Sequence, residues 1–150
     1  MFLCKPTERQ ILLAIKKRKF GEGKWNGVGG KLEEGETVAR AAVREAREEV
    51  LVDIEESSLT QVATIEFVYE GNPEWDQEVH IFFTEKWEGE PSESEEMRPE
   101  WYSMDNLPFD RMWADDPHWL PRVLAGEKLK GSVTFNSTGT DILRMSLGAQ

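Results

Sequence analysis

The run VARAAVREAREEV, residues 38–50, decides how this chain is read. It holds neither glycine nor proline and is rich in alanine, glutamate and arginine, all good helix formers. Thr37 stands directly before it as a side-chain cap for the first unpaired N–H groups. The spacing predicts one helix over 38–50. Within it Glu45, Glu48 and Glu49 occupy positions i, i+3 and i+4, neighbours on one face, where like charges repel. Projected at about 100° per residue, the three carboxylates share an arc of about 100° that overlaps the apolar stripe of Val38, Ala41 and Ala42. They are predicted to face whatever the helix packs against, where a charge is costly unless paired or bound to a cation. The alternative is a salt-bridged surface helix, in which Arg44 reaches Glu48 while Arg40 and Arg44 repel.

The segment before the helix favours a cation. FGEGKWNGVGGKLEEGE (20–36) carries six glycines, too many for a helix, and is predicted as a long loop with tight turns. Gly29 and Gly30 let the backbone approach a ligand closely, so a carbonyl there can join the carboxylates around a hard cation. Oxygen-only ligands suit magnesium or manganese, whereas zinc would call for a Cys/His set that is missing here.

Outward from this core, ILLAI (11–15) reads as a buried strand. LTQVATIEFVYE (59–70) and DQEVHIFFTEKWE (76–88) are β-rich and separated by GNPEW, which predicts an antiparallel pair. EGEPSESEEMRP (88–99) reads as a solvated acidic loop and EWYSM (100–104) as a short strand. Residues 105–129 look helical in pieces, broken by Pro108, Pro117 and Pro121, and 130–147 read as a closing hairpin. No repeat, linker or composition shift divides the chain, so one domain over 1–150 is expected. The pattern, mostly antiparallel strands with one long helix and one or two shorter ones, implies an α+β fold or a helix–sheet–helix sandwich.

The formal net charge of -11 argues against a nucleic-acid-binding or membrane-surface protein, since both need basic patches. An anionic ligand would need a local positive charge, and a divalent metal is the obvious supplier. Cys4 is the single cysteine, which excludes an intramolecular disulfide and points to a reducing compartment. The start of the chain lacks the apolar stretch of a signal peptide, and no segment approaches the roughly 20 apolar residues of a membrane span. A cytoplasmic protein is expected.

Gly30, then Glu36 after five residues, then Arg44-Glu45-Ala46-Arg47-Glu48-Glu49 after seven more resembles the signature of the Nudix hydrolases. The resemblance implies the family's α+β fold, an α/β/α sandwich with a mixed, largely antiparallel sheet, and cleavage of a nucleoside diphosphate linked to another moiety. It implies that Gly30 offers a carbonyl, that Glu45, Glu48 and Glu49 hold Mg2+ (with Mn2+ as a possible substitute), and that Glu36 and Arg44 form a structural brace. Two positions depart. Leu51-Val52 stands where the signature has glycine before an aliphatic residue, which leaves the helix end open, and Ala46 stands where a larger aliphatic is usual.

KWNGVGGK, EEMRPEW and MWADDPHW, in this order, resemble the group within that family that hydrolyses oxidised purine nucleoside triphosphates. That likeness implies that Asn26, Asp115 and Asp116 read the base edge and that Trp113 stacks on or walls the purine. It further implies Phe20, Phe67 and Met97 as pocket walls, Lys16 reaching the sugar or phosphates, and Glu96 as another metal contact. Adjacent acids in an apolar pocket do not both ionise easily, so one of Asp115 and Asp116 is expected to hold a proton and donate while the other accepts. Asn26 carries a donor and an acceptor on one amide. The alternative for Asp115 is a helix-starting role ahead of Pro117; His80 and His118 read as structural or surface residues. The expected activity is conversion of an oxidised purine nucleoside triphosphate to its monophosphate and pyrophosphate, by a monomer. Ordinary purine triphosphates, other nucleoside diphosphate derivatives, or a non-catalytic nucleotide-binding module are the alternatives.

Overall fold

The computed structural model describes residues 1–18 and 21–150; Lys19 and Phe20 lie outside the described residues. The chain divides into two compact units, Met1–Thr60 with Phe82–Met112 and Gln61–Ile81 with Trp113–Gln150.

The first unit holds strands β1 (Phe2–Lys5), β2 (Gln10–Lys16) and β3 (Trp25–Asn26), helix α1 (Val38–Val50), the end of β5 (Gln77–Thr84) and β6 (Met97–Ser103). β2 is its axis. It pairs antiparallel with β1, with β3 and, along its whole length, with β6 from Gln10↔Ser103 to Lys16↔Met97. β1 also pairs in parallel with β5 at Phe2↔Phe83 and Leu3↔Thr84. The apolar run at 11–15 is thus a strand covered on both faces, with Ile11 to Ala14 all buried. β1 has no counterpart in the sequence reading, because three apolar residues at a chain start show no period. Met97, Arg98 and Pro99, expected in the acidic loop, already belong to β6.

Helix α1 spans the predicted residues, and Thr37 caps it by accepting from the Arg40 N–H at 3.2 Å. Its small residues Ala42 and Ala46, with Val50, pack into the core formed by Leu3, Leu12, Ala14, Val28, Val52 and Met97. The helix ends at Val50 because Leu51 itself takes the left-handed conformation, φ 63° and ψ 35°, where glycine is the usual occupant. Its side chain is 46% exposed, so the backbone geometry costs about 1 kcal/mol without a packing clash.

The second unit holds β4 (Thr60–Tyr69), the first part of β5, helix α2 (Asp116–Leu124), β7 (Leu129–Phe135) and β8 (Ile142–Ala149). β4 neighbours β5 and runs parallel to β7 from Ala63↔Leu129 to Tyr69↔Phe135. β7 and β8 form the expected antiparallel hairpin. Alternation along β4 buries Ala63, Ile65, Phe67 and Tyr69 together. Pro117 and Pro121 do not break the second helix. Pro117 sits in the first turn, where its missing N–H has no intrahelical acceptor, and Pro121 removes a single backbone hydrogen bond. Among the described residues no helix is long and apolar enough to cross a membrane.

Candidate active site

Arg44 organises the first unit's acidic face. Its guanidinium grips Glu36 with two bonds, Nε to Oε2 at 2.7 Å and Nη2 to Oε1 at 3.0 Å, and Nη2 also donates to the Lys31 carbonyl at 3.0 Å. Glu36 in turn accepts from the Glu33 N–H at 2.8 Å. The two-pronged pair ties the glycine-rich loop to α1 and holds the Glu36 carboxyl below its ordinary range, the Arg44 hydrogen bonds being the main cause. The remaining nitrogen, Nη1, donates to Glu45 at 2.8 Å and to Glu48 at 3.2 Å.

The three glutamates of α1 do not share one environment. Glu49 is buried, 9% exposed, and its Oε2 accepts from the Gly29 N–H at 3.1 Å. Burial first, then the nearby Glu45, pushes its carboxyl up to about 8. The Glu45 carboxylate lies against Gly30 so closely that a Cβ there would stand 2.5 Å from Oε1, and residue 30 has to be glycine for that placement. Glu48 differs. Its side chain is 56% exposed and turned toward Arg44, which corrects the expectation of three inward carboxylates. It sits at the edge of the helical arc. Glu96 is also held apart, accepting from Arg18 Nε at 3.1 Å and Nη2 at 2.5 Å.

The donor set fits a hard divalent cation. Two carboxylates already lie together against a glycine loop, and the proton favoured on Glu49 is the smallest cation that relieves their repulsion. Among the described residues no three metal-ligating groups converge on one point, because Arg44 holds Glu48 and Arg18 holds Glu96. In each pair one member is more than half exposed, Glu48 at 56% and Arg18 at 51%, so solvent screens both ion pairs.

Of the other predicted residues in this unit, Asn26 donates through Nδ2 to the Lys24 carbonyl at 3.0 Å, and Lys16 is partly buried at the end of β2. Met97 is part of the apolar core. Phe20 lies outside the described residues.

In the second unit, Asp115 and Asp116 are buried side by side at the start of α2. Asp115 occupies the capping position but makes no capping bond; its Oδ2 accepts from the Trp119 indole N–H at 2.7 Å. Burial pushes its carboxyl above the ordinary range. Asp116 Oδ2 accepts from the Trp113 backbone N–H at 3.2 Å. Trp113 meets Phe135 edge-on at 6.4 Å, and Phe135 stacks with Phe67 at 6.2 Å and with Tyr69 at 5.3 Å. Phe135 and Tyr69 are the ring partners that sequence reading missed, since only the parallel pairing of β4 and β7 brings them together. His80 bonds to Gln61 and Glu78, a structural arrangement as expected.

The NUDIX domain model matches residues 1–123. The chain is 44% identical over 134 residues to the oxidized purine nucleoside triphosphate hydrolase of Danio rerio, covering 89% of this chain and 83% of that protein. It is likewise 44% identical over 139 residues to the same-named protein of Mus musculus, covering 93% and 86%. A solved MutT structure from Bacillus halodurans superposes with a TM-score of 0.79 at 24% identity, over 97% of this chain and 93% of that one, a likeness of fold. With its braced glycine loop, its glutamate-bearing helix and a family match over more than half its length, the chain belongs to the Nudix hydrolase family.

Proposed function

We propose that this chain converts oxidised purine nucleoside triphosphates, 8-oxo-dGTP and related species, to the monophosphate and pyrophosphate, and so keeps damaged bases out of the nucleotide pool. The observation that carries it is the 44% identity, over 93% of the chain, to a relative named for hydrolysis of those substrates. The family generally uses a divalent metal; we take it to be Mg2+, with Mn2+ able to replace it. When bound, the cation supplies charge neutralisation for phosphate oxygens and Lewis acidity at phosphorus.

The chain's own residues would then divide the work. Glu45 and Glu49, with the Gly30 carbonyl, hold the cation; Glu48 and Glu96 join them by leaving Arg44 and Arg18. The Glu36–Arg44 pair keeps loop and helix in register, so that the carboxylates meet the cation already oriented. A charge of -11 suits a polyphosphate enzyme only because the cation reverses the local field. On the base side, one of Asp115 and Asp116 holds a proton and donates while the other accepts. Trp113 and Phe67 supply apolar walls, and Asn26 adds an amide that can donate or accept. Phe20, Met97 and Lys16 are carried as further pocket residues. We take the chain to act as a single domain, since the family match at 1–123 runs through segments of both units. A monomer in a reducing cytoplasm is the setting we propose.

One assay tests the reading. The protein is incubated with Mg2+ and a panel of oxidised and normal purine triphosphates, and pyrophosphate release is measured against phosphate. Preferential turnover of the oxidised nucleotides with pyrophosphate as product is expected. Equal turnover of dGTP and 8-oxo-dGTP sinks the sanitising role, and no turnover of any nucleotide makes the chain a binding module.

A further inference from the structure

We infer that Ser94 is a positioning residue for the proposed metal site: its single hydroxyl locks the backbone of Glu49 to that of Glu96. The inference rests on the metal-dependent reading above. Ser94 Oγ donates to the Glu49 carbonyl at 2.7 Å, and the same oxygen accepts the N–H groups of Glu96 and Met97, each at 3.2 Å. A hydroxyl has one proton and two lone pairs, and all three are used here.

The surrounding bonds show what this junction holds. The Glu49 carbonyl belongs to the last turn of α1, where carbonyls lack intrahelical donors and must find them elsewhere. The adjacent Val50 carbonyl accepts from the Ser92 N–H at 2.9 Å, so two successive helix carbonyls are satisfied by the acidic loop. Lys17 fastens the loop from the other side, with Nζ donating to the Ser94 carbonyl at 2.7 Å and its own N–H to the Glu96 carbonyl at 2.9 Å. The Ser94 N–H donates to the Met97 carbonyl at 2.9 Å, and Met97 is buried in the core that α1 packs against. These contacts fix backbone, whereas the carboxylates are held separately, Glu49 by the Gly29 N–H and Glu96 by Arg18. The loop thereby carries Glu96 at a set distance from Glu49 even while the two carboxylates are apart. A small shift of one ligand-bearing backbone against the other is what a positioning residue prevents, and such shifts can cost on the order of 100-fold in rate.

The test compares the full chain with Ser94→Ala, which deletes the hydroxyl, and Ser94→Thr, which keeps it. Binding of Mn2+ alone, without nucleotide, is followed by the loss of its free-ion electron paramagnetic resonance signal; kcat, KM and Tm are measured beside it. Expected for Ser94→Ala is a loss of about tenfold in Mn2+ affinity and a similar fall in kcat, with nucleotide KM within about twofold. Ser94→Thr should restore both to near wild type. A Ser94→Ala protein that melts lower yet binds Mn2+ as the wild type does overturns the inference and makes the bond a plain helix cap. Weakened Mn2+ binding in a protein that hydrolyses no nucleotide upholds the positioning role while removing the proposed function. Normal hydrolysis with unchanged Mn2+ affinity does the reverse.

Discussion

Two close acidic pairs, the part-buried Glu45 with buried Glu49 in the first unit and buried Asp115 with Asp116 in the second, meet the same electrostatic problem with different partners. The glutamate pair leans on a glycine loop and on a guanidinium that also serves two other carboxylates. The aspartate pair is held by an indole N–H and a backbone N–H, both fixed parts of the fold. In the first the compensating charge is a full one, a guanidinium that Glu36 and the Lys31 carbonyl hold in place. In the second the donors are neutral and permanent, which suits reading the polar edge of an uncharged ring. Burial raises a carboxyl in both, so a perturbed acid alone does not tell metal chemistry from recognition, and the two roles proposed above rest on the partners instead.

The largest test removes the ionisable group at the centre of the first pair. Glu49→Gln should lower kcat on the order of 100-fold or more, while thermal melting stays near or above wild type because a buried carboxylate is gone. Unfolding of this variant would mean that the pair serves only the fold. Gly30→Ala comes next. The new methyl displaces the Glu45 carboxylate, so kcat should fall about tenfold in steady-state assays. Stability should change little, since the displaced group is the end of a flexible side chain.

The third prediction concerns stability. Asp115 has a folded-state pKa raised above its ordinary 3.8. The native state therefore holds that proton more tightly than the unfolded chain, and stability declines as pH climbs from about 4 toward the raised value. Asp115→Asn has no proton to lose and keeps an oxygen for the Trp119 N–H. Its Tm should match wild type near pH 3.5 and exceed it increasingly toward neutrality, as followed by calorimetry. Parallel curves would place the cost of burial elsewhere. The smallest effect belongs to Leu51→Gly, expected to add about 1 kcal/mol, or about 3 °C in Tm, by relieving the left-handed backbone.

Local features were legible in the sequence and convergent ones were not. Thr37 and the limits of α1 follow from spacing within a few turns of chain, and the Glu36–Arg44 brace from the family resemblance. The exposed, Arg44-bound Glu48 matches the salt-bridged alternative that the i+4 spacing offered, while Glu45 and Glu49 match the inward reading; spacing alone did not divide the three. Pro121 misled as a helix breaker, since a nine-residue helix entered through Pro117 loses only one bond to it. Ser94 and Phe135 owe their places to partners far along the chain, and neither carries a signal in its own neighbourhood. The resemblance to a known family covered the residue types; the structure added which of them hold one another.

Leu51 carries a lesson for how relatives of this chain are sought. The helix turns out of its last turn at the expected point although the expected glycine is absent, so the requirement at that position is a torsion angle and not a residue. A search pattern that insists on glycine there would discard this chain and others that accept the same small penalty. Scoring the position by tolerance of positive φ, with an exposed side chain as the condition, would recover them.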